Sequence, residues 1–280
     1  MAKVLPRVGI NIVTLANNHL TDCGRAGVLE TLQALADAGV AVIGAGVNKQ
    51  AAHAPRILHV PAKPGTGKGI FQIGLLGYYW NRRTSATKNF PGSAMDQHEE
   101  LAADIGALRK RVDRVVATFH WGVPYVREPS AWDRAKARFA IDCGADIVIG
   151  HHPHIVQPFE IYRGRPIFYS VGNFTFGSGN SRGESLLIGV RFEENTTIVQ
   201  VYPLCVKNRD PRVNYQPKLL RGHAAERALR MLAEISGESA PLMKTDGNRG
   251  LIELPWSETG ANASAVASSA GTAGRHAHAT

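Results

Sequence analysis

The stretch VGINIVTLANNHLTDCGRAGVLETLQALADAGVAVIGAG, residues 8–46, decides the fold. Its opening VGINIVTLA (8–16) is rich in apolar and β-branched residues and predicts a strand. GVLETLQALADAG (27–39) places its apolar residues at helical spacing and stops at a glycine. VAVIGAG (40–46) predicts the next strand. A strand–loop–helix–strand unit is typical of a sheet with parallel strands, so the sequence predicts an α/β fold.

The same alternation continues along the chain. Strands are predicted at 57–60, 70–79, 114–119 and 145–150, and helices at 98–111 and 130–144, with Ser130 as the N-cap of the second helix. The pattern changes after Pro158: two short strands are predicted within 159–170, a hairpin over 186–206 and a late helix over 226–236.

The length of 280 residues suits one sizeable α/β domain. We predict a main domain over 1–222, a C-terminal helical extension over 223–256, and a disordered tail over 257–280, which is rich in Ala, Ser, Gly and Thr. No apolar run approaches the roughly 20 residues that a membrane-spanning helix needs, and no signal peptide opens the sequence.

The formal net charge of +9 favours acidic partners such as nucleic acid, anionic lipid or a polyanionic substrate. The densest basic block is RKRVDR (109–114), which we interpret as a solvated helix end in preference to a nucleic-acid patch. The three cysteines lie far apart and form no CxxC pair, so they do not determine the redox compartment.

Three polar loops follow the ends of predicted strands: NNH (17–19), HWG (120–122) and HHPH (151–154). In open α/β sheets, ligands bind at the carboxyl edge of the strands. The architecture therefore predicts that histidines more than a hundred residues apart converge on one pocket.

Neutral imidazoles are ligands for borderline cations such as Zn²⁺, Mn²⁺ or Fe²⁺. Pro153 restrains the turn between His152 and His154, and Asn18 offers an amide oxygen as a further ligand. His19 would stand beside the metal as a general acid for a leaving oxygen. Taken singly, each loop is as well explained as a turn or a packed histidine; together, they favour a metal site.

At these residues the chain resembles the CapA/PgsA poly-γ-glutamate capsule synthesis proteins. The resemblance runs through LANNHLTDCGRAGVLETLQALADAGVAVIGAG, TFHWGVPY, CGADIVIGHHPHIVQPFEIYRGRPIFYSVGNFTF and RGESLLIGV, in order, over roughly residues 8–206. It implies the fold of the calcineurin-like metallophosphoesterases, a four-layer α/β/β/α sandwich with a two-metal site.

The resemblance also implies roles for individual residues. Asn18 matches the asparagine ligand of the family's Asn-His motif, and His19 matches its catalytic histidine. His120 matches a lone metal histidine, and His152 and His154 match the final His-x-His pair. The implied cofactor is a divalent metal, Mn, Zn or Fe, with two ions in a full-length protein.

Three more residues are implied to shape the pocket. His151 occupies the place of a glycine in the wider superfamily, and Asn173 belongs to the family motif within YSVGNF. Asp22 fits the pattern after NNH as a loop or helix-start residue, in preference to a ligand.

The chain departs from the family pattern in its acidic ligands. Family members begin with a strand ending in Gly-Asp and later carry an Asn-Leu-Glu segment, and neither sequence occurs here. We therefore expect an N-terminally incomplete domain. Because two dications held about 3.5–4 Å apart require anionic ligands, we expect this chain to bind one metal weakly or none.

Three functions stay open at this point. The first is a metal-dependent hydrolase in which metal-activated water attacks a phosphoester or related bond, with His19 as acid. The second is a non-catalytic accessory protein for polymer synthesis or export that binds an anionic polymer such as poly-γ-glutamate. The third, a nucleic-acid-binding module, lacks any recognition motif, so no nucleic-acid partner is expected. The family implies a membrane-anchored or extracytoplasmic location, with any anchor in the missing N-terminal part.

Overall fold

The computed structural model describes residues 2–62, 69–178 and 183–256. The helices are α1 (Gly24–Asp37), α2 (Lys49–Ala52), α3 (His98–Arg109), α4 (Ala131–Asp142) and α5 (Gly222–Ser236). The first ten strands are β1 (Ile12–Thr14), β2 (Ala41–Ile43), β3 (Ala45–Gly46), β4 (Arg56–Pro61), β5 (Ile70–Tyr79), β6 (Gly92–Ser93), β7 (Arg114–His120), β8 (Ile147–His151), β9 (Phe159–Tyr162) and β10 (Arg165–Phe168). The remainder are β11 (Glu184–Phe192), β12 (Thr196–Cys205), β13 (Lys218–Leu219), β14 (Met243–Thr245) and β15 (Gly250–Pro255).

A six-stranded sheet in the order β4-β5-β7-β8-β10-β9 forms the centre of the molecule. Its four inner strands are parallel, and β4 and β9 close the two edges antiparallel to their neighbours. More than half of the residues of β5, β7 and β8 are buried and nearly all the others are partly buried, which explains their largely apolar sequences. The α/β class predicted from the sequence is confirmed.

The opening βαβ unit forms a separate two-stranded parallel sheet, in which Ile12 pairs with Ala41. It cannot extend the central sheet through β5, because both edges of β5 are already paired with β4 and β7. The unit approaches β5 closely, however: a Cβ on Gly44 would lie 2.8 Å from the carbonyl oxygen of Gly77.

A second, antiparallel sheet carries β11-β12-β15-β14, with β13 also paired to β12. The predicted hairpin over 186–206 is confirmed as β11 and β12, joined over nine registered residue pairs. The predicted C-terminal helical extension, 223–256, contains most of α5 and also β14 and β15, and β15 pairs with β12.

Two apolar clusters hold these layers together. One fills the space between α3, α4 and one face of the central sheet, with Leu101, Ala137 and Phe119 among its fully buried members. The other joins the opposite face of that sheet to the second sheet and to α5, through residues such as Ile147 and Leu232. Burial of apolar surface on both faces fixes the central sheet and therefore the edge at which its strands end.

One predicted helix start was correct, and another was placed four residues too late. Ser130 caps α4 in a reciprocal capping box with Asp133, as its sequence position predicts. The late helix begins at Gly222, four residues before the predicted start.

No helix within the described residues combines the length and apolar character that crossing a membrane requires. The predicted disordered tail, 257–280, lies outside the described residues.

Candidate metal centre

Three strand ends place the predicted site residues at one edge of the molecule. The loop after β1 carries Asn18 and His19, β7 ends at His120, and β8 ends at His151. His120 and His151 are in register in the parallel pair β7–β8. Residues separated by 102 positions in the chain, Asn18 and His120, are thereby within hydrogen-bonding distance.

A chain of four hydrogen-bonded side chains crosses this edge. His120 Nε2 donates to Asn18 Oδ1 at 2.7 Å, and Asn18 Nδ2 donates to His19 Nε2 at 3.0 Å. His19 Nδ1 then donates to Asp22 Oδ2 at 2.8 Å. Asp22 thus orients the His19 ring. The amide oxygen of Asn17 also fixes His19 by accepting from its main-chain N–H at 2.8 Å.

The HHPH turn holds two histidines in unusual backbone geometry. His152 and His154 have φ angles of 102° and 61°, a region that residues other than glycine seldom adopt, although histidine does so more often than most. Such strain clusters at functional sites. The His120 and His152 rings have centroids 4.6 Å apart, and those of His152 and His154 are 6.0 Å apart. The buried Nδ1 of His152 has no hydrogen-bond partner.

Asn173 orients the last histidine of the group. His154 Nδ1 donates to Asn173 Oδ1 at 2.8 Å, which leaves Nε2 of the ring as the lone-pair nitrogen. Metal-binding histidines commonly have their second nitrogen fixed in this way. Phe176 and Tyr125 pack on the same ring, with centroids 4.7 and 5.8 Å away.

Gly150 lets the turn reach this position. A Cβ at Gly150 would lie 2.0 Å from the carbonyl oxygen of Tyr169 and 2.5 Å from Nε1 of Trp121. That indole nitrogen donates to the same Tyr169 oxygen at 2.9 Å. The glycine is therefore required by the close approach of three chain segments directly beneath the histidines.

The electrostatic surroundings keep these imidazoles neutral. Burial, followed by the neighbouring histidines, lowers the pKa of His120 to about 2. Burial lowers the pKa of His151 to about 4, and burial with His154 and His19 nearby also lowers the pKa of His152. Neutral imidazole is the form that can bind a metal.

Comparison with known proteins places the chain in a family. Residues 1–178 match the family described as bacterial capsule synthesis protein PGA_cap. The chain belongs to this family. Its members matched here include the capsule biosynthesis protein CapA of Bacillus anthracis, 33% identical over 216 residues, which cover 75% of this chain and 51% of the relative.

Two further relatives of the capsule synthesis family are similar. The PGA biosynthesis protein CapA of Bacillus subtilis (strain 168) is 33% identical over 211 residues, covering 75% of this chain and 54% of that protein. A probable polyglutamine synthesis accessory protein of Mycobacterium tuberculosis (strain CDC 1551 / Oshkosh) is 32% identical over 170 residues, covering 58% of this chain and 44% of that protein. The chain spans about half the length of the curated relatives it matches.

The side chains at this edge of this member of the capsule synthesis family offer neutral imidazole and amide groups. The unpartnered His152 Nδ1, the oriented His154 and the neutral His120 have the chemistry of metal-binding imidazoles. Among the described residues, no three His, Cys, Asp or Glu side chains are grouped so that they could hold a metal ion. Over the same residues, no carboxylate joins the histidines in the manner that a two-metal site requires.

Sequence reasoning missed several residues that shape this edge. Tyr79, the last residue of β5, packs edge-on against His120 with centroids 5.6 Å apart. Asn17, Tyr125 and Phe176 were also missed. The two adjacent asparagines of NNH could have indicated Asn17. The aromatic contacts could not be predicted in this way, because they depend on how β5 and two loops pack in the folded chain.

Proposed function

We propose that this chain carries a divalent-metal hydrolase site that acts in poly-γ-glutamate capsule biosynthesis. The observation that supports it most is the contact between Asn18 Oδ1 and His120 Nε2 at 2.7 Å, with the His152 ring 4.6 Å from that of His120. Loops far apart in sequence supply these groups at the carboxyl edge of the strands, where α/β folds bind ligands. The printed names of the relatives supply the biological context.

In this proposal Asn18, His120, His152 and His154 hold the ion. A divalent cation at such a site supplies Lewis-acid polarisation of a substrate oxygen and lowers the pKa of nearby water. The absence of a ligating carboxylate over the described residues favours one ion of the Mn, Zn or Fe class.

His19 acts as the general acid. Its Nδ1–H is held by Asp22 and its Nε2 lies 3.0 Å from Asn18, so the ring stands beside the metal ligands without being one of them. The His19 side chain is 68% exposed, which leaves it accessible to a leaving group. A protonated ring there can deliver a proton to the departing oxygen or nitrogen.

The proposed substrate is an ester or amide bond at or near an anionic polymer, with poly-γ-glutamate and a phosphoester as the two chemical classes. The proposed fold is the four-layer α/β/β/α sandwich of the metallophosphoesterases. The packing of α3 and α4 on one face of the central sheet and of the second sheet on the other supports this assignment.

Metal content tests the site directly. The 280-residue chain, equilibrated with Mn²⁺ or Zn²⁺ and desalted, is expected to retain metal by mass spectrometry, and His152→Ala/His154→Ala is expected to lose it. The matched control is His59→Ala/His223→Ala, which removes two exposed histidines elsewhere. Equal metal content in all three proteins would overturn the ligand assignment.

Hydrolysis tests the reaction. Release of nitrophenol from a nitrophenyl phosphodiester and cleavage of a γ-glutamate oligomer are measured with and without the metal. We expect His19→Gln to lower turnover by about 10²–10⁴-fold while metal content stays unchanged, because only the acid is removed. A metal-loaded protein that cleaves neither substrate class would refute the hydrolase proposal.

A further inference from the structure

The basic block RKRVDR lines a cleft at the edge of the central sheet opposite the histidines. The cleft has a volume of about 680 Å³, within the range of ligand-binding sites. Its wall includes Arg109, Lys110, Arg111, Asp113, Arg165 and Trp256. The block is thus part of a concave surface, where sequence interpretation expected only a solvated helix end.

This cleft is separate from the candidate metal centre. β7 begins beside the cleft at Arg114 and ends at the metal centre with His120. At about 3.3 Å per residue, the strand places the two regions about 20 Å apart. A ligand in the cleft therefore does not contact the histidines.

A buried carboxylate organises the floor of the cleft. Asp146 is 2% exposed and accepts from Arg109 Nη1 at 2.6 Å, with Arg165 Nε 3.6 Å from its other oxygen. The same carboxylate accepts from the main-chain N–H of Val115 at 2.8 Å and from Trp256 Nε1 at 2.6 Å. Its lone pairs are thus already used by the protein.

Arg114 adds a further buried cation behind this floor. The side chain is 1% exposed, lies 3.5 Å from the centre of the Trp256 ring, and donates to main-chain oxygens of Asp113 and Glu193. Its Nε is buried without a hydrogen-bond partner. Burial lowers the pKa of Arg114 to about 10, against an opposing contribution from Asp146 and with smaller lowering contributions from Arg109 and Arg165.

Positive charge extends from the floor to the rim. Arg165 is 5% exposed, Arg109 is partly exposed, and Lys110 and Arg111 are exposed. Among the described residues of the wall, Asp113 is the acidic member. Cations therefore outnumber carboxylates along the wall of the cleft, and an anionic ligand would gain charge-assisted contacts there.

We propose that this cleft binds a run of carboxylates on an anionic polymer, separately from the histidine edge. The spread of guanidinium and ammonium groups from floor to rim fits repeated carboxylates, which guanidinium groups bind in bidentate geometry. The identity of the polymer as γ-linked glutamate rests on the proposed function. Trp256 has one ring face against Arg114 and its N–H on Asp146, so it offers little platform for stacking a nucleobase.

Binding of a fluorescently labelled γ-glutamate oligomer, measured by anisotropy in the presence of a metal chelator, tests this site. We expect Lys110→Glu/Arg111→Glu to weaken binding by about tenfold or more, since two charge-assisted contacts become repulsive. The matched control, Arg227→Glu/Arg230→Glu, changes net charge equally on the exposed side of α5 and is expected to stay within about twofold. Thermal unfolding of each variant checks that both are folded, and Lys110→Gln/Arg111→Gln provides a milder change.

The outcomes separate this site from the metal centre. Equal weakening by the two charge reversals, no weakening by the Lys110/Arg111 pair, or no binding by the unaltered chain would overturn the inference. Loss of oligomer binding in His152→Ala/His154→Ala alone would place the polymer at the histidines, which refutes the cleft and retains the proposed function. Cleft-dependent binding by a chain that fails to retain Mn²⁺ or Zn²⁺ in the separate metal-content test, which contains no chelator, supports the cleft and refutes the hydrolase. Tighter cleft-dependent binding of single-stranded DNA, used as a competitor, would overturn the assignment to carboxylates.

Discussion

The two ends of β7 present opposite chemistry. At its carboxyl end, His120 stands among neutral side chains that come from loops distant in the sequence. At its amino end, Arg114 stands among cations, several of which are contiguous in the block at 109–114. At the histidine edge, the carboxylate of Asp22 is exposed and contacts His19. At the basic edge, the carboxylate of Asp146 is buried and is surrounded by cations.

The difference shows that one sheet can carry neutral donor groups at one edge and charged groups at the other. A ligand set needs neutral donors placed by strain and hydrogen bonds, as in the HHPH turn. The cations at the floor of the cleft need a buried counter-charge, and the carboxylate of Asp146 pairs with the guanidinium groups of Arg109 and Arg165. Seven residues of strand keep cations away from the imidazoles, whose neutral form a positive metal requires. The predictions below test each edge in turn.

Removing the buried carboxylate should have the largest effect. Asp146→Asn leaves Arg109 and Arg165 without their shared anion, and breaking a buried ion pair typically costs about 3–5 kcal/mol. Urea unfolding followed by circular dichroism measures the loss. Asp37→Asn, at an exposed position on α1, should change stability by less than about 0.5 kcal/mol. A loss below about 1 kcal/mol for Asp146→Asn would mean that the cationic edge does not depend on this pairing.

Removing an orienting group at the histidine edge should have an intermediate effect. Asn173→Ala deletes the acceptor of His154 Nδ1, so the ring loses its fixed tautomer and orientation. We expect Mn²⁺ or Zn²⁺ affinity, measured by calorimetry, to fall by about 10- to 100-fold. Asn11→Ala, at an exposed position before β1, is the control and should leave affinity unchanged. Unaltered metal affinity in Asn173→Ala would show that Asn173 does not orient a metal ligand.

Thiol reactivity gives the smallest and simplest contrast between the two edges. Burial, with Asp142 nearby, raises the pKa of Cys143 beside the basic cleft to about 11. Only the thiolate reacts, so alkylation of Cys143 at about pH 8 should be slow and should accelerate as the pH rises toward 11. Cys23, just after the histidine loop, is exposed and should react first. Mass spectrometry of iodoacetamide-treated protein measures both rates, and equal rates at pH 8 would contradict the burial of Cys143.

Much of the fold was predictable from periodicity. The ten residues of β5 were predicted with their exact limits, and Ser130 was predicted as the N-cap of α4 from its local sequence. The separation of the βαβ unit from the central sheet was not predictable, because it depends on both edges of β5 being occupied. The pairing of β15 with β12 was missed for a similar reason: the sequence of a short apolar segment does not show which distant strand it will pair with.

The amino-acid sequence alone determined the α/β class, the family resemblance and the residue types of the candidate metal centre, because these depend on local periodicity and on short motifs. Only the tertiary structure decided that Asn18 contacts His120, that His152 Nδ1 is left without a partner, and that the block at 109–114 forms one wall of a cleft. Those properties depend on which strand ends share an edge, and strand order is set by packing on both faces of the sheet. Contacts between residues a hundred positions apart therefore become visible only once the chain has folded.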